Sequence, residues 1–359
     1  MKARSIFLMV VSTFLLVGLV LGGCAPAAPQ AEPTKAPEVS TDESTLGAGH
    51  QVAIVFASSG LGDKSFNDSL FKGAVIAQER FGISWDYVEP SAESDYEPYL
   101  RSYAQTGSYD LIISNGFSQG SSLEKVAPDF ANQKFMIIDS VVDKPNVGSF
   151  VFKSEEAAYL AGIVAALVTK DTSVSHINGE NKLGFVGGMD IPLIEAFAAG
   201  FKAGAKSVNP DVEVLVSYVG AWDDPAKAKE LALAQFEQGA DIIYQVASLG
   251  GLGVIEGASE AGYLAIGQDD NQNYLAPDNM LLSVLKMIDN TAVLAIHDVL
   301  ADKWAPGVHN LGLADGGVDV TNDISNIKIA DSVMAEVTKA REAIVSGSLT
   351  VPTALADVK

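Results

Sequence analysis

At 359 residues, 48% of them apolar, the chain is long enough for two domains, each with a core of its own. A formal net charge of −22, with arginine only at Arg4, Arg80, Arg101 and Arg341, excludes a nucleic-acid polymer as partner, because an acidic globule repels polyphosphate. The single cysteine, Cys24, excludes an internal disulfide and a multi-thiolate metal site.

The chain opens on an export signal. Lys2 and Arg4 precede an apolar run over 6–21, and Gly22, Gly23 and Cys24 follow. That run is short for a membrane span, and the small residues behind it favour cleavage. LGGC at 21–24 resembles the bacterial lipobox, in which the cysteine becomes the lipid-modified first residue of the mature chain. The expectation is a signal peptide at 1–23, a lipid on Cys24, and a solvated tether over 24–49, where Ala, Pro, Glu and Thr predominate. The protein is thereby expected on the extracytoplasmic face of a bacterial cell membrane.

Beyond the tether, short apolar runs alternate with helical spacing. Strands are predicted at 52–56, 84–88, 111–114, 135–138, 183–186, 212–219, 242–246 and 263–266, and helices at 70–81, 97–105, 194–207 and 226–237. Strict alternation calls for α/β architecture with parallel sheets covered on both faces. The alternation also repeats: VAIVF at 52 and LGFVG at 183 lie 131 positions apart, as do DLII at 110 and DIIY at 241, while Asp139 and Asp269 lie 130 apart. Two Rossmann-like lobes of one design are expected. The segment 281–286, a helix to about 301 and another over 332–345 read as crossings between them, a multi-crossing hinge. The first lobe is expected at 50–153 plus about 285–305, the second at 154–284 plus about 306–359.

Ligands of open parallel sheets sit beyond the carboxyl ends of the strands. The loops to compare are therefore 57–67 with 187–195, 89–95 with 220–225, 114–120 with 247–253, and 139–143 with 267–273. Several enzyme patterns fall in or near them. GFSQG at 116–120 fits a nucleophile elbow, which would suit a serine hydrolase using Ser118. Against it, His50, His176, His297 and His309 are distant in sequence, and SLGGLG at 248–253 has no nucleophile in register. GLG at 251–253 lacks a third glycine, since Glu256 occupies its place, and GDKS at 62–65 sets an aspartate where phosphate would lie. DDNQN at 269–273 has Tyr274 where a calcium loop turns on glycine and Met280 where it needs a glutamate. No cofactor, metal or catalytic residue is expected.

A binding site is better supported. Phe66 and Trp222 each stand on a loop between a strand end and a helix start, one per lobe, where two rings can close on a flat heterocycle. Stacking of a base on an aromatic side chain contributes roughly 1 to 3 kcal/mol. Asp139 and Asp269 end matched strands and can accept from the hydroxyls of a diol. Asn67 offers a donor and an acceptor for a base edge or sugar hydroxyl, Ser65 with Asp68 makes a capping-box-like pair, and Asp63 reads as a loop or cap residue. Lys286 can reach a carboxylate or a sugar oxygen. Ser58, Ser59, Ser118 and Gly250 lie in the same loops, and no arginine does, which disfavours carboxylate ligands.

DKSFN at 63–67, the doubled lobes and the lipobox together are similar to the basic membrane lipoprotein family of nucleoside-binding proteins, also called PnrA-like. WDDP at 222–225, GQD at 267–269 and SVLK at 283–286 extend the resemblance. It implies a type I periplasmic-binding fold and delivery of a nucleoside to the permease and ATPase of an ABC importer. It further implies that Phe66 and the aromatic at 222 stack the base, that Asn67 and Asp139 contact the ligand, and that Asp269 and Lys286 serve the ribose, with Ser248 on the sugar side. Four positions depart from the family pattern. Ala57 stands where many members carry a base-reading aspartate, leaving Ser58 and Ser59 to compensate; Trp222 replaces phenylalanine; Ser248 and Asn271 replace glycine and aspartate. The expectation is a monomeric, lipid-anchored receptor for a nucleoside, a purine one by family habit. A sugar receptor of the same fold, or a sensor feeding a membrane kinase, would also fit the sequence.

Overall fold

The structure, a computed structural model, describes residues 43–358; the expected signal peptide and Cys24 lie outside the described residues. From the N-terminal end, the elements are β1 (Gln51–Val55), α1 (Phe66–Phe81), β2 (Ser84–Val88), α2 (Tyr96–Thr106), β3 (Leu111–Asn115), α3 (Gly120–Val126), β4 (Phe135–Ile138) and β5 (Val147–Phe152). There follow α4 (Ser154–Val168), β6 (Lys182–Gly187), α5 (Pro192–Val208), β7 (Glu213–Tyr218), α6 (Pro225–Glu237), β8 (Ala240–Val246), α7 (Gly251–Ala261), β9 (Leu264–Asp269) and β10 (Met280–Lys286). The chain closes with α8 (Ile288–Leu300), β11 (Gly307–Leu311), β12 (Val318–Thr321) and α9 (Asp331–Val345).

The strands form two six-stranded sheets, ordered β11-β5-β4-β3-β1-β2 and β12-β10-β9-β8-β6-β7. Every pairing is parallel except that of β10 with β12. Central strands β3, β4, β8 and β9 are buried along their whole length, as strands covered by helices on both faces must be, whereas edge strands β2 and β7 are part-exposed. β5, β11 and β12 do not stand out in the sequence, and β11 moves a boundary. Because Gly307–Leu311 pairs with β5, the last return to the second lobe falls at 312–317, later than the expected 306.

Three crossings link the lobes: at Lys153 into α4, at Met287 into α8, and over 312–317. They are bonded together. Lys153 N–H donates to Leu311 O at 2.9 Å, and Met287 N–H to Gly317 O at 2.9 Å.

Residues 43–49, expected within the solvated tether, are instead packed on the fold. Gly47 N–H donates to Phe81 O at 2.7 Å and Arg80 Nε lies 2.9 Å from Glu43, so residues 43–49 dock on the end of α1.

Helix α4 is buried on nearly every side and packs on α5 at glycine contacts. A Cβ at Gly162 would stand 2.0 Å from Phe201 O, and one at Gly204 would stand 2.0 Å from Tyr159 O. Both obstacles are backbone, so neither can swing aside. Gly204→Ala is expected to cost about 3 kcal/mol or more in stability, read as a lowered midpoint in urea unfolding; an unchanged midpoint would contradict this packing.

Glu155, in the first turn of α4, has its carboxyl pushed up to about 7, mainly by burial and then by Glu156. Its folded value exceeds the unfolded one, so the folded state takes up the extra proton. The group therefore destabilises the fold above about pH 7 and ceases to do so as pH falls through that value toward the unfolded range. Glu155→Gln should stabilise the protein at pH 8 by about 2 kcal/mol, and the gain should vanish by about pH 4.5, as followed by melting temperature across that range.

Candidate functional site

The carboxyl ends of both sheets face one cavity, with about 630 Å³ of unfilled space including its open mouth. The span suits a small organic ligand. Phe66, Asp139, Trp222, Ser248, Asp269, Lys286, Ser58, Ser59 and Ser118 all reach its wall. Gly250 does not; its N–H donates to Trp222 O at 2.9 Å.

Asn67, expected against the ligand, instead lies wholly buried behind the loop. Its Oδ1 accepts from Ala57 N–H at 3.1 Å and from Asn115 Nδ2 at 2.9 Å, and its Nδ2 donates to Gly60 O at 2.8 Å and Ser59 Oγ at 3.0 Å. The amide shapes the loop after β1. The Ser65–Asp68 capping pair also does not form. Asp63 caps α1 instead, accepting from the backbone N–H groups of Ser65 (2.9 Å), Asn67 (2.9 Å) and Asp68 (3.1 Å). Ser65 is thereby freed to face the other lobe.

The lobes meet through this same loop. Ser248 Oγ donates to Asp63 Oδ2 at 2.9 Å, Ser65 Oγ donates to Asp269 Oδ2 at 2.5 Å, and Gln272 Nε2 donates to Lys64 O at 3.0 Å. Lys64, Asp139, Ser248 and Asp269 all have left-handed backbone, φ 54°, 63°, 51° and 72°. Such conformations are uncommon for residues other than glycine and gather at functional sites. Burial raises the Asp63 carboxyl above its ordinary value, against the pull of its backbone and Ser248 donors.

The aromatic walls come from three loops. Phe66 opens α1 with its ring partly buried against the main core, and Lys286 Nζ stands 5.0 Å from the ring centroid, within cation–π range. The Trp222 indole lies against Gly188, where a Cβ would come within 2.4 Å of Cε3, so glycine is needed for its seat. Phe117, whose ring carries no distinguishing signal in the sequence, meets Trp222 edge-on with centroids 6.2 Å apart. Leu193, Ile194 and Phe197 of α5 complete the apolar side. Their 193, 194, 197 spacing marks a helix face, but not which face meets a ligand.

At the charged end, Lys286 pairs with Asp139 Oδ2, both side chains almost fully buried. Asp139 Oδ1 is buried and has no hydrogen-bond partner. Burial pushes the Asp139 carboxyl up, Asp269 adds to the rise, and the Lys286 ammonium opposes both. Asp269 is already served on both oxygens, by Ser65 and by Gln268 Nε2 at 2.8 Å. Ser118 Oγ lies 3.4 Å from Tyr96 Oη, and no histidine reaches the cavity wall, so the elbow pattern has no base beside it. Among the described residues no cluster suited to a metal occurs.

Two parallel-sheet lobes, three crossings and an aromatic cavity between the strand ends define a solute-binding protein of the type I periplasmic-binding fold. Residues 50–354 match the family of PnrA-like substrate-binding proteins of ABC transporters, and the chain belongs to it. It is 35% identical over 326 residues to the ABC transporter nucleoside-binding protein BmpA of Lactococcus lactis, covering 84% of this chain and 89% of that protein. It is 32% identical over 290 residues to an uncharacterized lipoprotein of Pyrococcus furiosus, covering 77% and 71%. A solved ABC transporter solute-binding protein from Aeropyrum pernix superposes with a TM-score of 0.79 at 30% identity, covering 85% of this chain and 93% of that one. Members of this family bind substrates for transport and are not enzymes.

Ser248→Ala removes the donor that joins the lobes at Asp63 while leaving the three backbone donors in place. The cross-cleft bond should contribute about 1.5 to 3 kcal/mol to lobe closure. Small-angle scattering of the free protein should then show a larger radius of gyration for the variant, and an identical curve would mean that this contact does not hold the lobes together.

Proposed function

We propose that this protein is a lipid-anchored extracytoplasmic receptor that closes over a nucleoside, a purine one as the family resemblance implies, and hands it to the permease and ATPase of an ABC importer. The observation that carries the reading is the unpartnered, buried Oδ1 of Asp139 in a cavity walled by Phe66, Phe117 and Trp222. A buried acceptor without a donor is costly, and a ribose hydroxyl supplies the donor as the base fills the aromatic end. The name of the Lactococcus relative points to the same ligand class. Phe66 and Trp222 stack the base, Asp139 and Asp269 hold the diol, and Lys286 pairs with Asp139. Ser248 acts mainly in closure, and Cys24 carries the lipid. The receptor works as a monomer.

Calorimetric titration with nucleosides, free bases and sugars tests this. A nucleoside should bind with Kd on the order of micromolar or tighter, and Trp222→Ala should weaken it about tenfold to a hundredfold through loss of one stack. Binding of base-free sugars alone, or a Trp222→Ala variant with unaltered affinity, would favour the sugar receptor instead.

A further inference from the structure

The cavity is chemically two-ended. Its charged members, Asp139, Asp269 and Lys286, follow or end β4, β9 and β10. Ser118 and Ser58 follow β3 and β1, the next two strands along the first sheet, so they stand progressively farther from Asp139, to about 10 Å by ordinary strand spacing. Tyr96 joins them. Its ring is 1% exposed and packed in the core on the outer face of the first sheet, and its hydroxyl reaches the cavity wall. The polar side chains at this end are neutral hydroxyls. If the diol lies at Asp139, the edge of the base remote from the sugar meets Tyr96 and Ser118.

Hydrogen counting decides what that edge must offer. Ser58 N–H donates to Tyr96 Oη at 3.0 Å, and a backbone N–H can only donate, so one phenolic lone pair is taken. Ser118 Oγ donates to Tyr96 Oη at 3.4 Å, which uses the serine's hydroxyl hydrogen. No other hydrogen bond within the described residues takes the phenolic hydrogen. With Ser118 as the donor, the spare hydrogen is that of Tyr96, held at a buried site and directed by the two groups already bonded to its oxygen.

We propose that Tyr96 selects bases whose outer edge carries a carbonyl oxygen, so that 6-oxopurine nucleosides bind in preference to 6-aminopurine ones. This rests on the nucleoside reading above. A carbonyl oxygen at position 6 accepts the spare hydrogen; an exocyclic amino group in the same place can only donate and leaves the phenolic hydrogen without an acceptor at that position. An unmet buried donor weakens binding by about tenfold.

Titration of inosine and adenosine into the wild-type protein, Tyr96→Phe and Ser118→Ala tests the assignment. The wild type should bind inosine about tenfold more tightly than adenosine. Tyr96→Phe should remove most of that ratio by weakening inosine, whereas Ser118→Ala, which leaves the phenolic hydrogen in place, should keep it. Ser118→Ala serves alone if Tyr96→Phe does not fold. Equal affinities in the wild type, a preference for adenosine, retention of the ratio in Tyr96→Phe or its loss in Ser118→Ala would each overturn the proposal. Failure of both nucleosides to bind the wild type would instead overturn the nucleoside reading, and this one with it.

Discussion

The Asp63 carboxylate receives three backbone N–H groups from the start of α1 and, from across the cleft, the hydroxyl of Ser248. The first three bonds fix where the helix begins and hence where Phe66 projects. The fourth ties that same turn to the second lobe. Loop shape, ring placement and lobe contact therefore share one buried anion, whose burial works against its charge. The site tolerates this because four donors surround it, as a buried carboxylate requires.

The cavity divides its work by polarity. At one end Lys286 neutralises Asp139 and stands near the faces of Phe66 and Phe152, so a single ammonium serves both the ion pair and the aromatic floor. Removing either partner of such a buried pair leaves an isolated charge, a far larger penalty than the pair itself contributes. At the other end the groups are hydroxyls and rings. A neutral ligand with a hydroxylated part and a flat part matches that division; a carboxylate ligand does not.

Much of this is legible in the sequence because its cause is local. Alternating strand and helix patterns point to the two sheets, and the 131-residue repeat brings Asp139 and Asp269 to equivalent strand ends. Phe66 and Trp222 can be singled out because large rings beside polar loop residues have no obvious core to fill. Asn67 cannot be told from a ligand contact, since the groups that consume its amide, Ala57, Ser59, Gly60 and Asn115, come together only after the loop and β3 have folded. Asp63 reads as a loop or cap residue but not as a lobe contact, for a related reason: its partner Ser248 lies 185 residues away. Tyr96 and Phe117 are hidden by ordinary surroundings, one opening an amphipathic helix and the other inside a glycine-flanked motif. β5 and β11 are not legible because parallel pairing joins segments far apart in sequence, and neither strand has a strong alternation.

Three backbone connections join the lobes, and the last, from Leu311 through Gly317, is bonded to each of the others. A single link would behave as a string, free to swivel and stretch. A laced strap resists torsion and sliding, leaving flexion as the soft degree of freedom. Energy released when solute is enclosed is thereby channelled into one angular coordinate, and a transporter surface can sense occupancy from the angle between the two halves without touching what lies inside.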